Sequence, residues 1–166
     1  MKSSKLVLIS VIAAISLAVY ALESLIPPIV PVPGVKLGLA NAITLIALYV
    51  LGGKYALQVL VVRIFISSLL FGQPVSWMFS ISGGLLSFGV MFFLKKIMDD
   101  CNIWAISVFG ALAHNLGQIV MAVTITGQFE VAYYFLILII SSVITGVFTG
   151  VCAQTTIKKL KKLKIF

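Results

Sequence analysis

The stretch Gly110-Ala-Leu-Ala-His-Asn-Leu-Gly-Gln118 decides how the rest of the chain is read. It lies inside an apolar run from Ile103 to Ile125, long enough to cross a bilayer as a helix. It holds the only histidine of the chain, with Asn115 beside it and Gln118 four residues on. Helical residues three and four apart are neighbours, so His114, Asn115 and Gln118 are predicted to share one face. In hydrocarbon each polar group is costly unless partnered, so that face is expected to look into a bundle interior or a wet cavity. Two readings stay open, a ligand site and a polar clamp between helices. The small residues Gly110, Ala111, Ala113 and Gly117 would let neighbouring helices approach closely.

Working outward, the whole chain has the same character. Of its 166 residues 61% are hydrophobic and 10% charged, against about 25% charged in soluble domains. The mean hydropathy is +1.22. This describes an integral membrane protein with almost no room for a soluble domain. The net charge of +8 does not point to nucleic acid, because the basic residues flank apolar runs instead of forming one soluble face. Cys101 and Cys152 match no metal or disulfide spacing, and reduced thiols are expected. No cofactor or metal motif is present.

Six apolar runs follow one another: Leu6–Leu25, Leu37–Leu51, Tyr55–Phe71, Trp77–Leu94, Ile103–Ile125 and Val131–Ala153. A spanning helix needs about 17–25 residues; five runs fit and the second is short. The first resembles a secretory leader, but its apolar core is long for one, and a retained helix is expected. The predicted fold is all-α, a polytopic bundle of six transmembrane helices in a single membrane domain over 1–166, with a basic tail at 154–166. With an inner N-terminus ten lysines lie inside and only Lys36 outside. The positive-inside rule therefore places both termini in the cytoplasm. The tail cluster Lys158–Lys164 suits anionic lipid.

Arg63 is the sharpest single residue. It lies nine residues beyond Lys54, roughly 14 Å into its span at 1.5 Å per residue. An uncompensated arginine at such depth costs ~2.5–3.5 kcal/mol even on the translocon scale. Candidates to compensate it are Glu23, the amides of Asn115 and Gln118, or an anionic ligand. Glu23 lies near the outer end of the first run, before Ile26-Pro-Pro-Ile-Val-Pro-Val-Pro-Gly34, whose prolines favour an extended loop able to cap a cavity. Lys36 would reach an acidic ligand group or snorkel to the interface. Asn41 enters the second run and needs a partner there. Gly83-Gly84 permits close backbone approach. Two stripes of small residues, Ser10/Ala14/Ala18 and Ser142/Gly146/Gly150, suit close helix contact, either within the chain or with a second membrane protein.

Catalytic signatures are missing. There is no P-loop and no serine–histidine–acid arrangement. Prenyl diphosphate synthases need two aspartate-rich clusters to hold magnesium on the diphosphate. Here the only acidic pair is Asp99-Asp100, read as a solvated loop that ends a helix. The protein is not expected to be an enzyme by itself.

Glu23-Ser-Leu-Ile-Pro, Pro33-Gly-Val-Lys-Leu-Gly-Leu-Ala-Asn41, Arg63, Ser68-Leu-Leu-Phe-Gly72, Gly83-Gly84 and Ala113-His-Asn-Leu-Gly-Gln118 together resemble one bacterial membrane family. That family is called heptaprenyl diphosphate synthase component I, or the Gx transporter family. Its name implies a part in making the isoprenoid tail of menaquinone. It is in turn similar to the S components of energy-coupling factor (ECF) transporters. These are six-helix proteins that bind a ligand near the outer face and dock a T subunit through an Ala-x-x-x-Ala stripe, matched here by Ala14 and Ala18.

The resemblance implies an S-component-like subunit that captures a small polar or anionic ligand, prenyl-linked or vitamin-like. Arg63 and Lys36 would neutralise charge, and Glu23, Asn41, His114, Asn115 and Gln118 would complete the site. T and ATPase subunits and membrane lipid would be its partners. The alternative is a non-catalytic membrane accessory subunit of heptaprenyl diphosphate and menaquinone side-chain synthesis. The plainest possibility is a membrane scaffold.

Overall fold

The computed structural model describes residues 3–26, 38–71 and 74–162. These form six α-helices, α1 (Ser3–Ser24), α2 (Ala40–Val50), α3 (Gly53–Phe71), α4 (Pro74–Ile97), α5 (Ile103–Thr126) and α6 (Tyr134–Lys162), with 3-10 turns at Asp100–Asn102 and Phe129–Tyr133. No strand occurs among the described residues. Five helices are long and apolar enough to cross a membrane, and α2 is the shorter apolar one. Large apolar side chains such as Phe65, Leu69, Phe93 and Phe148 point outward. A lipid-facing exterior explains that pattern, because hydrocarbon imposes no cost on them.

The short helix is the hub. The run Leu37–Leu51 predicts a span, yet α2 has 11 residues, about 16 Å of helix, roughly half of the bilayer's apolar thickness. Gly38 adopts φ +80°, a left-handed conformation that stops the helix from extending toward residue 37. At the other end Gly52 (φ +86°) turns the chain directly into α3. Because α2 is surrounded, Ala40, Asn41, Thr44, Leu45, Ala47 and Leu48 are all buried. All five other helices pack against it.

On α1, Ile12, Ser16, Tyr20 and Glu23 recur at helical spacing and are buried, facing α2 and α3. The tightest packing joins α4, α5 and α6. A Cβ on Gly117 would stand 2.7 Å from the Ser82 carbonyl oxygen, and one on Gly146 or Gly150 would stand 2.7 Å from the Cα of Val108 or Trp104. These helices touch backbone to backbone, as small-residue seams allow. The stripe Ser142/Gly146/Gly150 is therefore internal packing. The matching stripe Ser10/Ala14/Ala18 is exposed, so internal packing does not explain it.

The end of the bundle rich in lysine is stitched to α2. Lys95 donates to the Leu48 carbonyl at 2.8 Å and stands 4.7 Å from the Tyr49 ring centroid. A cation at the last carbonyls of α2 complements its dipole. Lys161 pairs with Asp100, so the acidic pair lies in a solvated turn, as its sequence suggests. α6 is 29 residues long, about 43 Å, more than a bilayer's apolar core. Residues 154–162 of the expected tail thus continue the helix.

Candidate ligand site

At the opposite end, the buried start of α2 collects the polar residues of the other helices. A helix N-terminus presents backbone N–H groups without helical partners. Inside a bundle these need an acceptor. Glu23 supplies it: its carboxylate accepts the N–H of Gly38 and, at 3.5 Å, more weakly, that of Ala40. Glu23 thus fastens α1 to α2; the proline-rich stretch expected to cap a cavity lies outside the described residues.

Around this junction four buried polar side chains from four helices meet. Glu23 and Arg63 are each 4% exposed, and Asn41 and His114 each 5%. A Cβ on Gly38 would lie 3.0 Å from both Asn41 Nδ2 and His114 Cδ2, so these two side chains flank one point. On the far side of the imidazole, a Cβ on Gly83 would stand 2.9 Å from Nδ1 and Cε1 of His114. Gly84 leaves room for the Arg63 guanidinium, with Nη2 3.8 Å from its Cβ position. Glu23 and Tyr20 act electrostatically on Arg63, and Arg63 on His114. Gly83-Gly84 is therefore the seat of the cluster, and α4 runs unbroken through it.

The cluster is under-satisfied. Among the described residues no contact ion pair joins Arg63 to Glu23, and Arg63 Nε is buried with no hydrogen bond. Asn41 lacks a partner at both Oδ1 and Nδ2. One turn further along α2 and α4, the buried hydroxyls of Thr44 and Ser87 also lack partners, as does that of Ser16 on α1. Buried polar groups in proteins are nearly always paired. A run of orphans on four helices leaves hydrogen bonds that a ligand or water could supply. Thr44 and Ser87 were not singled out from sequence. The signal was there, since each lies one helical turn from a flagged position.

The expected single face of α5 divides. Asn115 turns to α6, donating to Ser142 Oγ at 2.7 Å and to the Leu138 carbonyl at 3.3 Å. It is a clamp between helices. His114, one residue earlier and so 100° around the helix, turns to α4 and α2. Gln118 is buried on α5. Lys36 lies outside the described residues. Ala14 and Ala18 lie on the outer side of α1, away from the cluster. An apolar groove of about 610 Å³, lined by Leu116, Val120, Phe129 and Phe135 among others, shares no residue with the cluster. No group of three metal-ligating side chains occurs among the described residues.

The family model of heptaprenyl diphosphate synthase component I matches residues 12–156. That span contains Glu23, Asn41, Arg63 and His114, and with them the whole cluster. No curated protein matches the chain, and no solved structure does. The match covers most of the chain, and on it the protein belongs to the heptaprenyl diphosphate synthase component I family.

Proposed function

We propose that the protein is a non-catalytic membrane component of polyprenyl diphosphate synthesis, and that it holds a small anionic ligand at Arg63. The family match supports the first half. The second half is carried by one observation, a guanidinium 4% exposed whose Nε has no hydrogen-bond partner and which makes no contact ion pair with Glu23. A buried charge without a partner is strongly unfavourable, and an anion that enters the cluster relieves that cost. Catalysis of chain elongation would rest with a soluble synthase partner, because this chain has one carboxylate in its cluster and no aspartate-rich pair near it.

A second reading has its own observation. The stripe Ser10/Ala14/Ala18 is exposed on a helix that packs mainly on α2 and α3 among the described residues. This favours a neighbour in the membrane, as an S-component-like protein docking a T subunit would have. Co-purification of the full chain from its own membranes separates the two. A soluble prenyl synthase in the eluate supports the first reading. T and ATPase subunits in its place would replace it with the second.

A further inference from the structure

The charges around Arg63 say which anion fits. We infer that the cluster takes a small monocarboxylate, and not a phosphate or diphosphate. The inference rests on the reading of the Arg63 cluster as a ligand site, and it adds the chemical class.

Charge comes first. The described residues offer one guanidinium, Arg63, and one carboxylate, Glu23, in electrostatic range of each other. Glu23 is already committed to the N–H groups of Gly38 and Ala40. Lys36, outside the described residues and two positions before Gly38, adds at most one further cation. With Glu23 ionised the cluster therefore carries at most one net positive charge, and it can balance no more than a single negative charge. A phosphate monoester brings about −1.5 to −2 at neutral pH, and a diphosphate more. Divalent cations usually neutralise such groups, held by carboxylates. Glu23 is the cluster's one acidic side chain, and no trio of metal-ligating residues lies among the described residues.

Geometry comes second. A guanidinium is a planar fork that meets a carboxylate through two parallel N–H···O bonds. Arg63 Nε, one donor of that fork, is unpartnered. Beside the His114 ring, Asn41 has both a free acceptor and a free donor, at Oδ1 and Nδ2. That pair suits a second polar group with its own donor and acceptor, such as an amide or a hydroxyl. The ligand would thus be a small acid with one further polar group.

Arg63 is the only arginine in the chain, which makes a direct test possible. Phenylglyoxal modifies guanidinium groups, and intact mass spectrometry of the purified full chain in detergent counts the adducts. Arg63→Lys provides the background. The probes are benzoate, inorganic phosphate and pyrophosphate at equal ionic strength. The expected result is one Arg63 adduct, slowed by benzoate and not by the other two. Protection follows occupancy, reaching about tenfold when benzoate is about ten times its Kd. Slowing by phosphate or pyrophosphate equal to that by benzoate, or greater, overturns the carboxylate assignment and leaves the ligand site standing. An adduct that no probe slows, or no adduct at all, overturns the ligand site and this inference with it.

Discussion

Gly83 lies against the ring and the backbone of His114: a Cβ at Gly83 would stand 2.8 Å from the His114 carbonyl oxygen and 2.9 Å from Nδ1. The carbonyl belongs to α5 itself and cannot rotate away. Gly83→Ala is expected to push α4 from α5 at the level of the cluster, at a cost of about 1–3 kcal/mol. Gly89 on the same helix has nothing within 4 Å of its Cβ position. Gly89→Ala should be neutral or stabilise by up to about 1 kcal/mol, since alanine is the better helix former. Thermal unfolding of the two variants in detergent checks the contrast. Equal stabilities would refute the close contact.

The two small-residue stripes should respond in opposite ways. Gly146→Leu must displace the backbone of Val108, 2.7 Å from its Cβ position, and is expected to prevent accumulation of folded protein. Ala14→Leu with Ala18→Leu adds bulk to an exposed face. The isolated protein should stay folded while recovery of its membrane partner falls. Size-exclusion profiles and pull-downs read both effects. Partner recovery unchanged by the leucine pair would leave the stripe with no docking role.

Asn115 and His114 should also separate in experiment, although they are adjacent in sequence. Asn115 bonds Ser142 across α5 and α6. A double-mutant cycle with Asn115→Ala and Ser142→Ala should show a coupling of about 0.6 kcal/mol, and at most about 1.7, the range for hydrogen bonds between membrane helices. Binding at Arg63 should survive Asn115→Ala. His114→Ala should reduce binding more than it reduces stability. A His114 variant that binds normally would remove the imidazole from the site.

Much of this was legible in the sequence. Five helices followed from apolar runs bounded by lysine, loop or proline residues, because membrane spans must satisfy their own backbone. Arg63 and His114 stood out through their cost at mid-span. Other features were hidden. The truncation of α2 depends on the left-handed conformation of Gly38, in a stretch that reads as apolar throughout. The role of Glu23 depends on N–H groups 15 and 17 residues away along the chain, a distance no helical periodicity reaches. The stripes of Ala14/Ala18 and Gly146/Gly150 look alike in sequence, and only the burial of one and exposure of the other tells them apart. The division between His114 and Asn115 was derivable from the 100° step between neighbours. Grouping them by spacing alone missed it.

Orientation is open to a labelling test. From the lysine asymmetry the positive-inside rule predicts both termini inside the cell. Cys101 and Cys152 are exposed, so both must be replaced before single cysteines are placed at Gln128 and Lys161. An impermeant maleimide added to whole cells should label position 128 and spare 161. Labelling at 161 alone would invert the topology, and with it the side from which a ligand reaches Arg63.

The last expectation concerns what binds Arg63 to the fold. In a contact ion pair, loss of one partner orphans the other at a cost of about 3–5 kcal/mol, and removing the second charge recovers part of it. Arg63 and Glu23 do not make such a contact. Glu23 keeps its backbone donors, Gly38 and Ala40, when Arg63 is gone. Arg63→Ala should therefore lose ligand binding with a modest change in folded protein, and adding Glu23→Gln should not restore stability. Glu23→Gln alone should already destabilise, since an amide has one acceptor oxygen where the carboxylate has two. Glu23→Ala should cost more, about 1–3 kcal/mol for each buried N–H left unpaired. Thermal unfolding of the four variants, with retained ligand measured by mass spectrometry, distinguishes the cases. If Glu23→Gln raises the stability of Arg63→Ala, the two residues are a structural ion pair, and Arg63 is not held open for a ligand.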